Sequence, residues 1–242
     1  MEKLFEVIAE DEHLLAVNKP AGLVCHPTKG DEYSSLISRA RLYLKSAETP
    51  HMINRLDRET SGIVIIGKNA EAAARLRKIW EERMVEKEYE AIVHGHVPFE
   101  GMRIDAPLGK DFESAVSIKD CVTAGGVRAE TFVAVQQRFE RDGREFSKVR
   151  VLLFTGRKHQ IRIHLSHIGH PIVGDKLYGG NESLYLALVK DELTPAQKAE
   201  LMLNNQALHA RRVSFEWFGS HRTFYCEPEP EFRQFVASGH RK

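Results

Sequence analysis

The chain has 242 residues, of which 42% are hydrophobic and 29% charged, with 35 Lys and Arg against 34 Asp and Glu. This length fits one or two domains, a single large α/β or α+β domain among them, and can bury a sizeable core without disulfides. The near-neutral balance excludes a chain-wide basic field, so any nucleic-acid or membrane surface must be local.

The cysteines and the apolar runs indicate the cellular setting. Cys25, Cys121 and Cys226 are odd in number and far apart, which argues against a disulfide framework and for a reducing compartment. No apolar run approaches the ~20 residues of a membrane span, and the N-terminus lacks the apolar region of a signal peptide. We therefore expect a soluble, cytoplasmic protein.

The N-terminal part predicts two strands, a turn and a helix. The strands cover residues 5–9 and 14–17, and Pro20-Ala21-Gly22 forms a turn because proline presets φ and glycine accepts positive φ. Ser34 or Ser35 caps a helix with apolar residues at positions 36, 37, 40 and 44.

Residues 51–67 place a polar loop, 54–62, before the β-branched run 63–66, which predicts a fully buried strand. Asp57 in that loop is flanked by Arg55 and Arg58. Neighbouring cations favour the charged carboxylate, the form that a nucleophile or general base needs. On these grounds alone, an ion-paired turn is the favoured interpretation and a catalytic carboxylate is the alternative.

The next two elements are a helix and a strand. Asn69 is an N-cap for a helix over 70–83. Residues 85–95 alternate with period two, so Tyr89 shares a face with Val85, Ala91 and Val93. Taken alone, Tyr89 predicts core packing with a bonded hydroxyl.

Residues 100–126 carry little pattern, but a hairpin follows. Its strands cover 129–139 and 145–154 across the Asp142-Gly143 turn. Between residues 138 and 162 eight basic residues stand against three acidic ones. Two interpretations are a solvated hairpin balanced by neighbours and a surface that follows phosphates. The basic residues are Arg138, Arg141, Arg144, Lys148, Arg150, Arg157, Lys158 and Arg162.

The stretch that follows the hairpin carries Ile161, Leu165 and Ile168 on one helical face, and this helix ends at Gly169, with Arg162 near its start and off the apolar stripe. The histidines at 164, 167 and 170 suggest a metal site. We discount it, because Gly169 and Pro171 break the helix before the third histidine and no carboxylate or cysteine completes the set.

The C-terminal part predicts two helices and a hairpin. Thr194 and Gln197 form a capping box for a helix reaching about residue 203. Strands at 213–217 and 223–226 form the hairpin, and a last helix lies around Phe232 and Phe235.

Six stretches, in the same order, resemble the RluA family of RNA pseudouridine synthases over residues 17–210. The aspartate stretch and TGRKHQIR are specific to that family. The stretches are VNKPAGLVCHP (17–27), NRLDRETSG (54–62), KEYEAIVHG (87–95), TGRKHQIRIHLSHIGHPIVGD (155–175), LYGG (177–180) and LHA (208–210).

The resemblance implies roles for individual residues. Asp57 matches the catalytic aspartate, Tyr89 the tyrosine that stacks on the target base, and Arg162 the arginine that pairs with the aspartate. Arg55 matches the arginine that fills the space left by the extruded nucleotide. Further RNA or substrate contacts are expected from Arg58, Thr60, Arg157, Lys158, His159 and Gln160.

The resemblance also implies an overall organisation. We expect residues 1–242 to form a single α+β catalytic domain, with a mixed, largely antiparallel sheet flanked by helices and a cleft where Asp57, Tyr89 and Arg162 converge. No small N-terminal S4-like RNA-binding domain is expected. One departure is Asn54, which stands where the family usually has histidine; it puts RNA contacts in question more than the aspartate chemistry.

The predicted reaction converts uridine in ribosomal or transfer RNA to pseudouridine. It needs a nucleophilic carboxylate and a dry pocket, with no metal and no cofactor. Asp57 attacks either C1′ of the sugar or C6 of the base. The alternatives are a catalytically idle RNA-binding protein of the same fold and a glycosylase that releases uracil. We expect a monomer that does not bind membranes.

Overall fold

The computed structural model describes residues 5–27, 34–45 and 48–241. The chain divides into two compact units. Unit 1 comprises Met1–Glu88 and His209–Glu229, and unit 2 comprises Tyr89–Leu208 and Pro230–Lys242. The sequence predicts that both units belong to a single catalytic domain, and this stays a prediction.

The secondary structure is mixed. The strands are β1 (Glu6–Glu10), β2 (Leu14–Lys19), β3 (His51–Met52), β4 (Ser61–Gly67), β5 (Val85–His94), β6 (Gly101–Asp105), β7 (Leu108–Lys110), β8 (Asp120–Val122), β9 (Glu130–Arg141), β10 (Arg144–Leu153), β11 (Leu208–Trp217), β12 (Ser220–Tyr225) and β13 (His240–Arg241). The helices are α1 (Leu36–Leu44), α2 (Ala70–Glu81), α3 (Gln160–His167), α4 (Ser183–Val189), α5 (Pro195–Leu201) and α6 (Pro230–Ala237).

In unit 1, the strands follow the order β1, β2, β4, β11, with β3 also on β4 and β12 on β11. Strand β4 is buried along its whole length, as its β-branched run predicts. The pairing of β4 with β11 is parallel, with His209 opposite Ser61 and Ala210 opposite Gly62. The neighbouring pairs β1–β2 and β2–β4 are antiparallel.

Helix α2 covers this sheet with an apolar face. Its buried Leu76 and Ile79 belong to one core cluster with Ile63 and Ile65 of β4. The helix begins as predicted, because the Asn69 side chain accepts a hydrogen bond from the Ala72 amide at 2.9 Å. Such a cap is worth about 1 kcal/mol.

In unit 2, the strands follow the order β5, β10, β9, β13, with β6 on β9, while β7 and β8 form a separate pair. The hairpin of β9 and β10 turns at Asp142 and Gly143, whose φ angles are +51° and +71°. Two successive positive φ angles match the right-handed twist of the strands, which is why Asp-Gly predicts this turn.

The core of unit 2 is aromatic. Phe139, Phe146 and Phe235 are almost completely buried, with ring centroids 5.2–6.3 Å apart. Burying a side chain of this size contributes about 1.5–3 kcal/mol. Ile161 and Leu165 of α3 join the same cluster, so the sheet and this helix share one core.

The fold class predicted from the sequence, α+β with a mixed, largely antiparallel sheet and helices, is confirmed. Helix α4 and strands β6 to β8 were not predicted. The strands of the last hairpin are each longer than expected, because β11 begins at Leu208 and β12 at Ser220. None of the described helices is both long and apolar enough to cross a membrane.

Candidate functional site

The loop that carries Asp57 is fixed at its first residue by Asn54. The Asn54 amide donates to the Ile63 carbonyl at 3.1 Å and accepts from the Ile65 amide at 2.8 Å. Both partners belong to β4, so Asn54 joins the start of the loop to the strand that follows it. The departure from the family's usual histidine therefore places a backbone-binding amide here.

Cys25 fixes the residue before Asp57. Its buried thiol donates to the Leu56 carbonyl at 3.3 Å and its sulfur accepts from the Leu56 amide at 3.4 Å. Burial raises the pKa of the thiol, which keeps it protonated and able to donate.

Lys19 fixes the residue after Asp57. Its side chain has no exposed surface, and its ammonium group donates to the carbonyls of Pro20 at 2.9 Å, Leu23 at 2.8 Å and Arg58 at 3.1 Å. Burial lowers the pKa of Lys19 to about 8, partly offset by nearby negative groups that include Glu229 and Asp57. The backbone on both sides of Asp57 is thus held by one segment, residues 19–25.

Within this loop, Asp57 is half-buried and its flanking Arg55 and Arg58 are exposed. Arg58 donates through Nε to the Gly22 carbonyl at 3.1 Å, while Gly22 donates its amide to the Arg58 carbonyl at 2.8 Å. Burial lowers the pKa of the nearby His26, and the positive charges of Arg55 and Arg41 lower it further. The loop therefore presents cations to solvent beside a carboxylate.

The end of the loop is more enclosed than expected. Thr60 is 2% exposed, and its amide donates to the Asp57 carbonyl at 3.2 Å. Its predicted contact with RNA stays a prediction, which this burial argues against. Ser61 is bonded to the buried His209 ring at 2.9 Å, and this contact joins β4 to β11.

Gly62 permits the close approach of β11. A Cβ atom at this position would lie 2.4 Å from the Ala210 carbonyl oxygen, and the φ of Gly62 is +115°. Only glycine adopts this geometry without strain. The glycine that closes the Asp57 loop is therefore a packing requirement.

In unit 2, Arg162 lies near the start of α3 and forms an ion pair with Asp175. Nε and Nη2 of Arg162 reach the two carboxylate oxygens at 2.7 and 2.9 Å. The Asp175 side chain is fully buried and also accepts the amides of Leu177 and Tyr178. Although burial alone would raise the pKa of Asp175, the Arg162 guanidinium and these amides hold it below its usual range.

The sequence placed Arg162 off the apolar face, but the structure buries it to 8% exposure. The first six residues of α3 are all buried. The polar ones among them are satisfied internally, which makes their burial possible. The predicted pairing of Arg162 with Asp57 stays a prediction.

Tyr178 connects Arg162 to the loop before α3. The Arg162 guanidinium carbon lies 4.9 Å from the centre of the Tyr178 ring. The Tyr178 hydroxyl bonds Nδ1 of His159 at 2.9 Å. Burial raises the pKa of Tyr178, so the hydroxyl stays protonated.

Gln160 organises this loop from inside. Its amide oxygen accepts from the Thr155 hydroxyl and the Arg157 amide, and its nitrogen donates to the Glu130 carbonyl and the Thr131 hydroxyl. With 2% exposure, Gln160 is a poor candidate for the RNA contact expected of it. Arg157 and Lys158, by contrast, are exposed.

Tyr89 is half-buried on β5 and packs against the core of unit 2. On the same strand, the alternation of exposed and buried residues is interrupted at Glu90. That carboxylate is 7% exposed and forms a 3.0 Å ion pair with Lys148.

The basic hairpin β9–β10 is largely neutralised by neighbours. Arg138 pairs with Glu100 at 2.7 Å, Arg141 with Asp142 at 3.2 Å, and Lys148 with Glu90. The balanced interpretation is therefore correct for these three residues. Arg144 on the hairpin is exposed, as are Arg157 and Lys158 where the hairpin leads into α3, and Lys158 is paired with Asp120.

The histidines do not gather into a metal site in the described part of the chain. Both ring nitrogens of the buried His164 are bonded, to the Thr131 hydroxyl and the Ala106 carbonyl, each at 2.9 Å. His170 bonds the His94 carbonyl. These two rings serve local structure.

Three residues around the candidate site were missed from the sequence: Lys19, Cys25 and Asp175. All three lie inside the stretches that resemble the family. Their place in these stretches could have marked them as candidates, but nothing in the local sequence pattern indicated which distant groups they bind.

Comparison with known proteins places this arrangement in a class. The fold is shared with a solved structure titled "Human RNA Pseudouridylate Synthase Domain Containing 1", at a TM-score of 0.76 and 22% identity over 100% of this chain and 91% of that one. At this identity the likeness shows the fold alone, and it confirms the predicted pseudouridine synthase fold.

The family follows from the sequence comparisons. The model described as RNA pseudouridylate synthase matches residues 13–167. A dual-specificity RNA pseudouridine synthase RluA of Vibrio parahaemolyticus is 33% identical over 96% of this chain and 87% of its own length. This chain belongs to the RNA pseudouridylate synthase family.

Other relatives are longer. The ribosomal large subunit pseudouridine synthase D of Pseudomonas aeruginosa is 37% identical over 87% of this chain, which covers 63% of that relative. The chain thus spans a little under two thirds of the length of this relative.

Proposed function

We propose that this protein is an RNA pseudouridine synthase that isomerises specific uridines in structured ribosomal or transfer RNA. The observation that carries the proposal is the family match over residues 13–167, which contains Asp57, Tyr89 and Arg162. The names of the relatives, which include a ribosomal large subunit enzyme and a dual-specificity enzyme, support RNA as the substrate.

Asp57 is the proposed nucleophile. The reaction breaks the bond between N1 of uracil and C1′ of ribose, turns the base and forms a bond between C5 and C1′, after which C5 loses its proton and N1 takes one up. A carboxylate that attacks C1′ or C6 supplies the covalent step, and no atom is gained or lost overall. The anchoring of Leu56 and Arg58 supports this role, because a nucleophile on a fixed backbone is held ready for attack.

The other roles follow the family pattern. Tyr89 offers a flat face for the extruded uracil, and base–aromatic stacking contributes about 1–3 kcal/mol. Arg162 keeps Asp57 ionised and oriented. The exposed Arg55 fills the space that the flipped nucleotide leaves, which offsets part of the few kcal/mol that flipping costs.

Other basic residues hold the RNA backbone. Arg58, Arg157 and Lys158 are exposed, which suits phosphate contacts and predicts binding that weakens as salt rises. His159 is held by Tyr178 and orients the loop that carries Arg157 and Lys158. A monomeric, cytoplasmic enzyme without metal or cofactor remains the expectation.

Product analysis tests the proposal. Total RNA is incubated with the enzyme, digested to nucleosides and separated by liquid chromatography with mass detection. A synthase converts uridine to a nucleoside of the same mass that elutes as pseudouridine. Free uracil would indicate a glycosylase, and unchanged uridine with retained RNA binding would indicate an idle RNA-binding protein.

A further inference from the structure

In unit 2, several exposed cations and one exposed aromatic ring are linked by short contacts. We name this group the Phe154 surface and define it by Arg103, Arg128, Phe154, Arg157 and Lys158. These residues come from β6, from the segment before β9 and from the segment between β10 and α3. One buried carboxylate, that of Glu130, binds two of them directly.

Glu130 fixes two of the arginines. Its side chain is 5% exposed, and its oxygens bind Nη2 of Arg103 at 2.5 Å and Nη2 of Arg128 at 2.9 Å. Both arginine side chains are nevertheless 63% exposed. A guanidinium has five N–H donors, so each arginine keeps donors for solvent or a ligand while its position is held. Holding the two groups in advance lowers the entropy cost of binding an anion.

The residue that carries the aromatic ring, Phe154, is hydrogen-bonded to the backbone of Glu130. Phe154 is 49% exposed, and its amide donates to the Glu130 carbonyl at 3.2 Å. The Arg103 guanidinium carbon lies 5.7 Å from the centre of the Phe154 ring, within the range of a cation–π contact. The ring thus stays half open to solvent beside a held cation.

Two further cations extend this surface toward α3. Arg157 donates through Nε to the Arg128 carbonyl at 3.2 Å. Lys158 donates to the Ile118 carbonyl at 2.9 Å and pairs with Asp120 at 2.7 Å, while its side chain is 50% exposed. The acids of this region are Glu130 and Asp120, both already paired, and Asp105, exposed at the end of β6.

A single exposed phenylalanine is common on soluble proteins and needs no explanation. Here one held arginine lies against a half-exposed ring, and three further cations are joined to the same network by hydrogen bonds and ion pairs, which is a different arrangement. Positive charge beside an open aromatic face is the chemistry that binds single-stranded nucleic acid, since bases stack on the ring and phosphates pair with the cations.

We propose that the Phe154 surface binds an unpaired segment of the substrate RNA, with Phe154 stacking on a base and Arg103 and Arg128 binding the adjacent phosphates. This inference rests on the proposed function for the identity of the ligand. It adds three residues to the RNA contacts expected at Arg157 and Lys158, and it makes this surface a determinant of substrate affinity rather than of the chemical step.

The test measures RNA affinity directly. End-labelled total transfer RNA and fragmented ribosomal RNA are titrated with the full-length protein at several salt concentrations. Phe154→Ala is expected to weaken binding roughly tenfold, whereas Phe154→Trp restores it. Phe112→Ala is the matched control, because Phe112 is 91% exposed and lies outside this surface.

The arginines are tested by their salt dependence. Arg103→Gln and Arg128→Gln are each expected to lower the slope of log affinity against log salt by about one. Arg77→Gln, at an exposed position of α2, should leave the slope unchanged. Thermal unfolding of each variant establishes that the protein is folded.

Activity separates this inference from the proposed function. Phe154→Ala should keep the single-turnover rate at saturating RNA within about twofold of wild type, so the loss lies in affinity. If wild type binds RNA but converts no uridine, the proposed function fails while the affinity data still decide the inference. The inference is overturned if wild type binds neither RNA, or if Phe154→Ala and both glutamine variants bind like the controls.

Discussion

Arg162 and Asp175 form a bidentate ion pair in which the Asp175 side chain is fully buried and the Arg162 side chain is 9% exposed. The aspartate also accepts two backbone amides from the turn at Leu177 and Tyr178. One carboxylate thus connects helix α3 to the turn that follows it. The position of Arg162 depends on that carboxylate.

Removing the charge of Asp175 should destabilise the protein strongly. Asp175→Asn removes the buried carboxylate that binds both Nε and Nη2 of Arg162, at an expected cost of about 3–5 kcal/mol in the free energy of unfolding. Urea denaturation measures this loss. Asp142→Asn is the control, because Asp142 is exposed and should change stability by about 0.5 kcal/mol or less.

The same pair predicts a pH dependence. Because the pKa of Asp175 is lowered in the folded protein, its stabilising effect is present above its usual value of 3.8 and is lost as the pH falls through the folded value. The stability difference between wild type and Asp175→Asn should therefore narrow in acid. A difference that is constant from pH 7 to pH 3 would contradict this account.

Lys19 predicts the same direction of change, stability that rises with pH, but at alkaline pH. Its pKa is lowered to about 8 from a usual value of 10.5, so between these values the unfolded chain holds a proton that the folded chain does not. Raising the pH from 7 to 9.5 should then stabilise wild type by about 1–2 kcal/mol relative to Lys19→Met. Urea denaturation at both pH values tests this, with the exposed Lys190→Met as control. Parallel pH curves for wild type and Lys19→Met would refute the assignment.

Asn54 should matter for stability through its two bonds to β4. Asn54→Ala loses both and is expected to cost about 1–3 kcal/mol, whereas Asn54→His keeps a ring donor and acceptor and should cost less. Thermal unfolding distinguishes the two. Asn18→Ala loses an exposed bond to Glu6 and serves as the control. Equal losses from Ala and His would show that backbone bonding is not the role of this position.

Gly62 should not tolerate even alanine. The added Cβ would lie 2.4 Å from the Ala210 oxygen, and the positive φ adds strain of about 1 kcal/mol or more. Gly62→Ala should lower the melting temperature by several degrees, in the range expected for a few kcal/mol. Gly125→Ala is the matched control, because nothing lies within 4 Å of a Cβ there. A melting temperature equal to that of the control would refute the close approach of β4 and β11.

Local signals in the sequence predicted much of the fold. The cap at Asn69, the Asp142-Gly143 turn and the capping box at Thr194 each depend on residues within a few positions of one another, and the structure has all three. Helix α4 was missed because it is seven residues long and has no side-chain cap. Strands β6 to β8 are three to five residues long, too short for a periodic pattern.

The residues of the candidate site were predictable from the sequence, but most of their tertiary contacts were not. The stretch around Asp57 resembles the family in sequence, which identifies the aspartate directly. Lys19, however, reaches the carbonyl of Arg58, 39 positions away, and Arg162 reaches Asp175 across a helix end. Such pairs depend on tertiary packing, which periodicity and local propensity do not encode. For the same reason the sequence left open whether neighbours balance the positive charges of the β9–β10 hairpin.

Tritium release from RNA labelled at C5 of uridine shows whether Asp57 is the nucleophile of an RNA uridine isomerase. Total RNA from cells lacking this gene is the substrate, with wild type, Asp57→Ala and the surface variant Arg77→Gln compared side by side. We expect release by wild type and Arg77→Gln and none by Asp57→Ala, with all three proteins folded and bound to RNA. Release by Asp57→Ala at a rate near wild type would contradict this role of Asp57.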